Sequence, residues 1–151
     1  MTDIVDPGTR SRIMSGIRSK NTTPELTVRK GLHALGLRFR IHDRQIPGKP
    51  DLIYKRCRAA IFVHGCFWHG HSCSYFRLPG TRREFWSRKI SGTQSRDSKV
   101  MAALKAAGWR QLTVWECAFR DKDLREQKRV IRRIFRWITS NRNAIEIRGR
   151  P

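Results

Sequence analysis

The chain has 151 residues, 38% of them hydrophobic, which suits one domain with a single core of ordinary size. Its 33 Lys and Arg against 12 Asp and Glu leave a formal charge of +21; such an excess repels itself in a folded chain and becomes favourable beside a polyanion, where phosphate contacts release counterions. A 9% aromatic content excludes a disordered chain, no run nears the ~18 apolar residues of a membrane span, and the polar start from Met1 to Arg12 is no signal peptide, so a cytoplasmic nucleic-acid partner is expected.

In chain order, Ile13, Met14 and Ile17 mark a helix over Thr9 to Arg18. Thr22-Thr23-Pro24-Glu25 opens the next: Thr can cap, Pro fits the first turn, and Glu favours the dipole. That helix carries Leu26, Leu32 and Leu35 and stops at Gly36. Leu37, Phe39 and Ile41 then alternate with Arg38, Arg40 and His42, which predicts a half-buried strand. Pro47 to Pro50 is a turn and Asp51 to Tyr54 a short strand. Arg58 to His64 is nearly continuous apolar, as in a central strand buried on both faces. Gly65 to Pro79 has no helical period and is rich in His, Cys and aromatics. Thr81 is placed to cap a helix through Phe85, Trp86 and Ile90, and a further helix carries Val100, Met101 and Leu104 up to Gly108. Trp109 to Cys117 reads as a strand. The last helix runs from about Asp123 to Thr139, with Val130, Ile131, Ile134, Phe135 and Ile138 on one face. Residues 1–8 and 140–151 are expected to be flexible. The pattern predicts a single α/β domain over 1–151 with a central mixed sheet flanked by helices; it does not fix the strand order.

Cys66, His69, His71 and Cys73 fall within eight residues, and Cys117 ends a later strand. Four Cys or His ligands arranged tetrahedrally make a structural zinc site, and cytoplasmic cysteines favour metal over disulfides. Spacing leaves open whether His69 or His71 binds. The histidine left over is a candidate general base, because imidazole titrates near neutrality. Cys57 reads as an ordinary sheet residue.

Pro50-Asp51, before Val63-His64 on the apolar strand, resembles the metal-binding hairpin of the restriction-endonuclease-like fold. Phe62-Val63-His64 replaces the second acid and Lys usual there. The run Ile61-Phe62-Val63-His64-Gly65-Cys66-Phe67-Trp68-His69-Gly70-His71-Ser72-Cys73 resembles the very short patch repair endonucleases. The likeness extends to Thr9-Arg10-Ser11, Thr81-Arg82, Glu84-Phe85-Trp86, Arg96-Asp97 and Trp115-Glu116-Cys117, and covers about residues 8 to 138. It implies Asp51 as the Mg²⁺ carboxylate and Val63 as a metal ligand through its backbone carbonyl. It implies His69 as the base that activates water and Asp97 as its orienting partner, with Glu25 and His64 in support. Cys66, His71, Cys73 and Cys117 match the zinc ligands, which assigns His71 to zinc and His69 to chemistry.

For DNA the resemblance implies that Phe67, Trp68 and Trp86 form an aromatic wedge, with Met14 as a plug from the opposite groove; a wedge favours a mismatch because unstacking costs less where pairing is poor. For Trp86 alone, a core position is an equal reading. Lys89 and Thr93 lie where the family contacts bases. The activity implied is Mg²⁺-dependent nicking just 5′ of the T in a T·G mismatch left by deaminated 5-methylcytosine in double-stranded DNA. Implied partners are a cytosine-5 methyltransferase upstream and a repair polymerase and ligase downstream, in a bacterial cytoplasm with the protein held at the nucleoid by DNA. A monomer is the simplest expectation. Two other classes fit the charge: a zinc-stapled module that binds distorted DNA without cutting, which would leave Asp51, His69 and Asp97 apart, and an RNA-binding protein, which needs neither carboxylate nor wedge.

Overall fold

The computed structural model describes residues 21–149; the helix expected over Thr9 to Arg18, and Met14 with it, lies outside them. Helix α1 spans Thr23–Ala34. Thr22 caps it, its hydroxyl accepting from the Glu25 N–H at 3.4 Å. Gly36, at φ +92°, turns the chain out of the helix in the left-handed region that glycine adopts without penalty. Three strands follow: β1 (Arg40–Ile41), β2 (Leu52–Tyr54) and β3 (Ala59–His64). Helix α2 (Arg83–Ala106) then crosses to β4 (Arg110–Trp115), and α3 (Leu124–Ile138) to β5 (Ala144–Ile147).

The sheet order is β1-β2-β3-β4-β5. β1, β2 and β3 pair antiparallel, while β3, β4 and β5 run parallel, so the sheet is mixed as expected. Parallel neighbours need helical crossovers, and α2 and α3 supply them. Ala59, Ile61, Leu112, Val114 and Ile147 share a core with Val28 and Leu32 of α1 and Ile131, Ile134 and Ile138 of α3. The alternate residues Phe62, His64 and Thr113 turn to the other face and line a cleft with Asp97, Val100 and Met101 of α2. The result is three layers, with α1 and α3 on one side of the sheet and α2 on the other. A Cβ on Gly31 would stand 2.8 Å from Ile131, so the missing side chain lets α1 and α3 close on each other.

Three expectations are corrected. The two helices expected between Thr81 and Gly108 are one helix of 24 residues. Ser91-Gly92-Thr93 are weak helix formers, but Trp86 and Ile90 on one side and Leu104 on the other are buried, and packing carries the helix through. Its N-cap is Arg82, with no side-chain cap bond, rather than Thr81. The C-terminal stretch is also not frayed over Ala144–Ile147, which adds a parallel edge strand and fully buries Ile147. Ala144-Ile145-Glu146-Ile147 alternates as a strand does, but four residues inside a polar tail give a weak signal. Among the described residues no helix is long and apolar enough to cross a membrane.

Candidate active site and metal centre

His64 ends β3 opposite Trp115 at the end of β4. Functional groups in open α/β sheets gather at such carboxyl ends, and here the chain leaves β3 directly into the His- and Cys-rich loop. A cleft of about 270 Å³ opens there, lined by Asp51, Val63, His64, His69 and Asp97 together with Lys49, Phe62 and Thr113. Residues from the β2 entry, the β3 end, the loop and α2 thus converge on one cavity.

Asp51 Oδ2 accepts the Val63 N–H at 2.7 Å, which ties the start of β2 to β3. Burial pushes the Asp51 carboxyl up to about 6, against the lowering effect of that hydrogen bond, and nearby Glu25 raises it further. A buried carboxylate that resists its own charge has much to gain from a cation.

Behind Asp51 stands Glu25, 1% exposed. Its Oε1 meets His42 Nε2 at 2.5 Å and its Oε2 accepts the Asn21 N–H at 2.8 Å. The His42 N–H donates to the Asp51 carbonyl at 3.4 Å. Potential ligand atoms of Glu25, His42 and Asp51 lie within 4.8 Å of one another. The 2.5 Å approach of His42 to Glu25 is a hydrogen bond, too close for two ligands at ~2.0–2.2 Å on one cation. His42 is a functional candidate that the sequence reading missed. Strand alternation placed it as an outward polar residue, but its backbone is left-handed at φ +49°, which swings it inward.

His69 Nδ1 meets Asp97 Oδ2 at 2.6 Å. With Asp97 accepting from Nδ1–H, the neutral ring carries its lone pair on Nε2. His64 stacks flat on His69, ring centroids 3.7 Å apart and planes 3° from parallel. Burial pushes the His64 imidazole down to about 3, so His64 is neutral at pH 7. Its Nδ1 is buried without a partner among the described residues. Gln94, also absent from the sequence reading, donates from its amide to the carbonyls of His69 and Gly70 and holds the loop against α2.

Next to the cleft, Cys66, His71, Cys73 and Cys117 bring their ligand atoms within 4.8 Å of one another, and all three thiols are free. His71 Nδ1 stands 3.6 Å from Cys117 Sγ. Sulfur at ~2.3 Å and nitrogen at ~2.0–2.1 Å on a tetrahedral ion would be roughly 3.5–3.6 Å apart, so the pair fits one metal. Burial holds the His71 imidazole below its usual range, neutral as a ligand must be. The Cys73 thiol is lowered despite its burial, because the Tyr75 and Phe76 N–H groups and the adjacent thiols favour its thiolate. Burial raises Cys66, a cost that a cation would offset. The C-terminal strand closes this cluster: the Gly149 N–H donates to Cys117 Sγ at 3.3 Å, and Arg148 donates to the Ser72 carbonyl at 2.7 Å. A Cβ on Gly149 would stand 2.3 Å from the Cys117 carbonyl, so only glycine fits there. In the sequence this segment shows only the polar composition of a tail.

Phe67, Trp68 and Trp86 form one aromatic cluster with centroids 5.1–5.9 Å apart. Phe67 and Trp68 are half-buried. Trp86 is only 7% exposed and underlies them; for that residue the core reading describes its position. Lys89 Nζ lies 5.7 Å from the Trp68 ring and 5.8 Å from the Trp86 ring, adding a cation to the aromatic surface. Thr93 donates its hydroxyl to the Lys89 carbonyl within α2.

The chain's relatives speak to the same chemistry. A family model described as DNA mismatch endonuclease Vsr matches residues 2–75. The type II nicking enzyme V.XorIIP of Xanthomonas oryzae pv. oryzae is 48% identical over 80% of this chain and 89% of its own. The DNA mismatch endonuclease Vsr of Escherichia coli is 41% identical over 91% of this chain and 88% of its own. The type II nicking enzyme V.NmeAIP of Neisseria meningitidis is 39% identical over 89% of this chain and 97% of its own.

Proposed function

Because the chain belongs to the Vsr family of DNA mismatch and nicking endonucleases, we propose that it nicks double-stranded DNA just 5′ of the T in a T·G mismatch left by deaminated 5-methylcytosine, using Mg²⁺. The observation that carries this reading is the convergence of Asp51, His69 and Asp97 on one cleft; a module that only bound distorted DNA would have no use for it. A relative named for mismatches and others named for nicking support a single-strand cut at a mispair.

Asp51 and the Val63 backbone carbonyl would hold Mg²⁺, which screens the growing phosphate charge and acidifies bound water. His69 Nε2 takes the proton of the attacking water, and Asp97 fixes the tautomer and steadies the imidazolium that results. His64, neutral and stacked on His69, keeps that ring plane. Glu25 and His42 hold the Asp51 side of the cleft. Cys66, His71, Cys73 and Cys117 would hold a structural Zn²⁺ that fixes the loop bearing His69. Phe67 and Trp68, backed by Trp86 and flanked by Lys89, would enter the base stack at the mispair, with Met14 approaching from the other groove. The cut leaves a 3′-hydroxyl for a repair polymerase and then a ligase, at the sites of a cytosine-5 methyltransferase. One domain acting as a monomer in the cytoplasm suffices for this chemistry.

Asp51→Asn tests the assignment. The variant is expected to bind a T·G duplex as the parent does while losing at least 10³-fold in nicking rate, on the scale of ~4 kcal/mol of transition-state stabilisation. Cutting within tenfold of the parent removes Asp51 from the mechanism.

A further inference from the structure

Helix α3 carries Arg125, Lys128, Arg129, Arg132, Arg133 and Arg136, all exposed. Among the described residues none of these six forms an ion pair. The helix's one glutamate, Glu126, is engaged in a capping box with Asp123. Arg125 with Arg129, Lys128 with Arg132, Arg129 with Arg133, and Arg132 with Arg136 are like charges one turn apart, an arrangement that weakens a helix. Solubility would be served as well by mixed charge. The apolar stripe of Ile131, Ile134, Trp137 and Ile138 is fully used against the core, so the helix has no free apolar face to place in a lipid surface.

The position of the stripe matters as much as its charge. α3 packs with α1 on one side of the sheet, whereas the catalytic cleft opens on the α2 side, at the carboxyl end of β3. A duplex seated at the cleft meets the aromatic cluster and α2, and the outward face of α3 points away from it. Arg125, Arg129, Arg132 and Arg136 follow one another at spacings of four, three and four residues, a row ~16 Å long at 1.5 Å per residue. A duplex carries one phosphate charge per ~1.7 Å of axis, dense enough to face every member of the row.

We propose that the outer face of α3 is a second DNA-docking surface, one that holds a duplex segment separate from the one being cut. The surface reads no sequence, since unpartnered arginines on a convex helix face meet phosphates rather than base edges. It would keep the enzyme on DNA between mismatches and let it bridge two segments.

A bead-capture assay tests this. A biotinylated 16-base-pair duplex is immobilised and saturated with the full-length protein without Mg²⁺, and a labelled second duplex of unrelated sequence is added. The parent should capture the second duplex, with a capture constant that falls steeply with salt, at a log–log slope near −4 for about four contacts. The variant Arg125→Gln/Arg129→Gln/Arg132→Gln/Arg136→Gln should bind the first duplex and nick as the parent does, with second-duplex capture reduced at least tenfold. Arg→Lys at the same four positions should restore capture. Undiminished capture by the glutamine variant, or displacement of the second duplex by polyglutamate or RNA at lower concentration than by DNA, overturns the proposal. Nicking by the variant is scored separately, so failure of the cutting mechanism and failure of this surface are distinguishable.

Discussion

Asp51 is a carboxyl that burial has raised from 3.8 to about 6. A raised carboxyl adds stability in its protonated form, fully present below 3.8 and lost as pH rises through about 6, so above that window the metal-free protein carries a destabilising charge. The same Asp51→Asn variant that loses cutting should therefore melt higher than the parent at pH 7.5 without metal, by roughly 1–3 kcal/mol at 1.36 kcal/mol per unit, and the gap should close by pH 4. In the parent, nicking should decline as pH falls through about 6, where protons compete with the metal. Glu25 and His42 are the neighbours on which this arrangement rests. Replacing His42 by Ala should raise the Mg²⁺ concentration needed for half-maximal nicking at least tenfold, while Gln, whose amide can donate to Glu25, should recover much of the loss. An unchanged Mg²⁺ requirement in His42→Ala would show that Glu25 stands without it. Asp51 and Glu25 were legible through the family resemblance, but the pairing of Glu25 with His42 was not: the two are 17 residues apart, and the strand period assigned His42 to solvent.

At the scale of elements, the loop after β3 is the piece that local conformation alone does not hold. Its fixed points are the Cys66–Cys73 stretch, Cys117 on the turn after β4 (Glu116–Ala118) and the end of β5. Cys117→Ala should lose bound zinc and, because structural zinc contributes folding free energy directly, lower the melting temperature by 10 °C or more; full zinc content and an unshifted melt would break the four-ligand cluster as an account of the loop. The chemistry-bearing residues of this region were legible because Cys and His at short spacing are rare, and the structure gathers Cys66, His71, Cys73 and Cys117 together. β4, α1 and α3 were legible from their periods, and α1 also from its cap at Thr22; the capping box at Asp123 emerges only in the structure. β5 was not, because four alternating residues are outweighed by the polar residues around them and become a strand only beside β4. The continuity of α2 was hidden for the converse reason, since local weakness at Ser91-Gly92-Thr93 is overridden by burial at both ends of the helix.

For the whole molecule, three layers divide the labour. The α2 side carries the cleft and the aromatic surface, the sheet's carboxyl edge carries Asp51 and His64, and the α1–α3 side supplies the core. The chain's net charge of +21 favours polyanions such as DNA on electrostatic grounds and leaves selectivity to the cleft, since phosphate contacts carry no sequence information. The central claim is therefore selectivity joined to cutting, and one assay addresses both. Two end-labelled duplexes, identical except that one C·G pair at a cytosine-methylation site is replaced by T·G, are incubated with the protein with and without Mg²⁺. A cut of the T strand just 5′ of the T, dependent on Mg²⁺ and absent from the matched duplex, is the predicted result; equal cutting of both duplexes, or tight mismatch binding with no cut at any methylation site tried, would contradict the account.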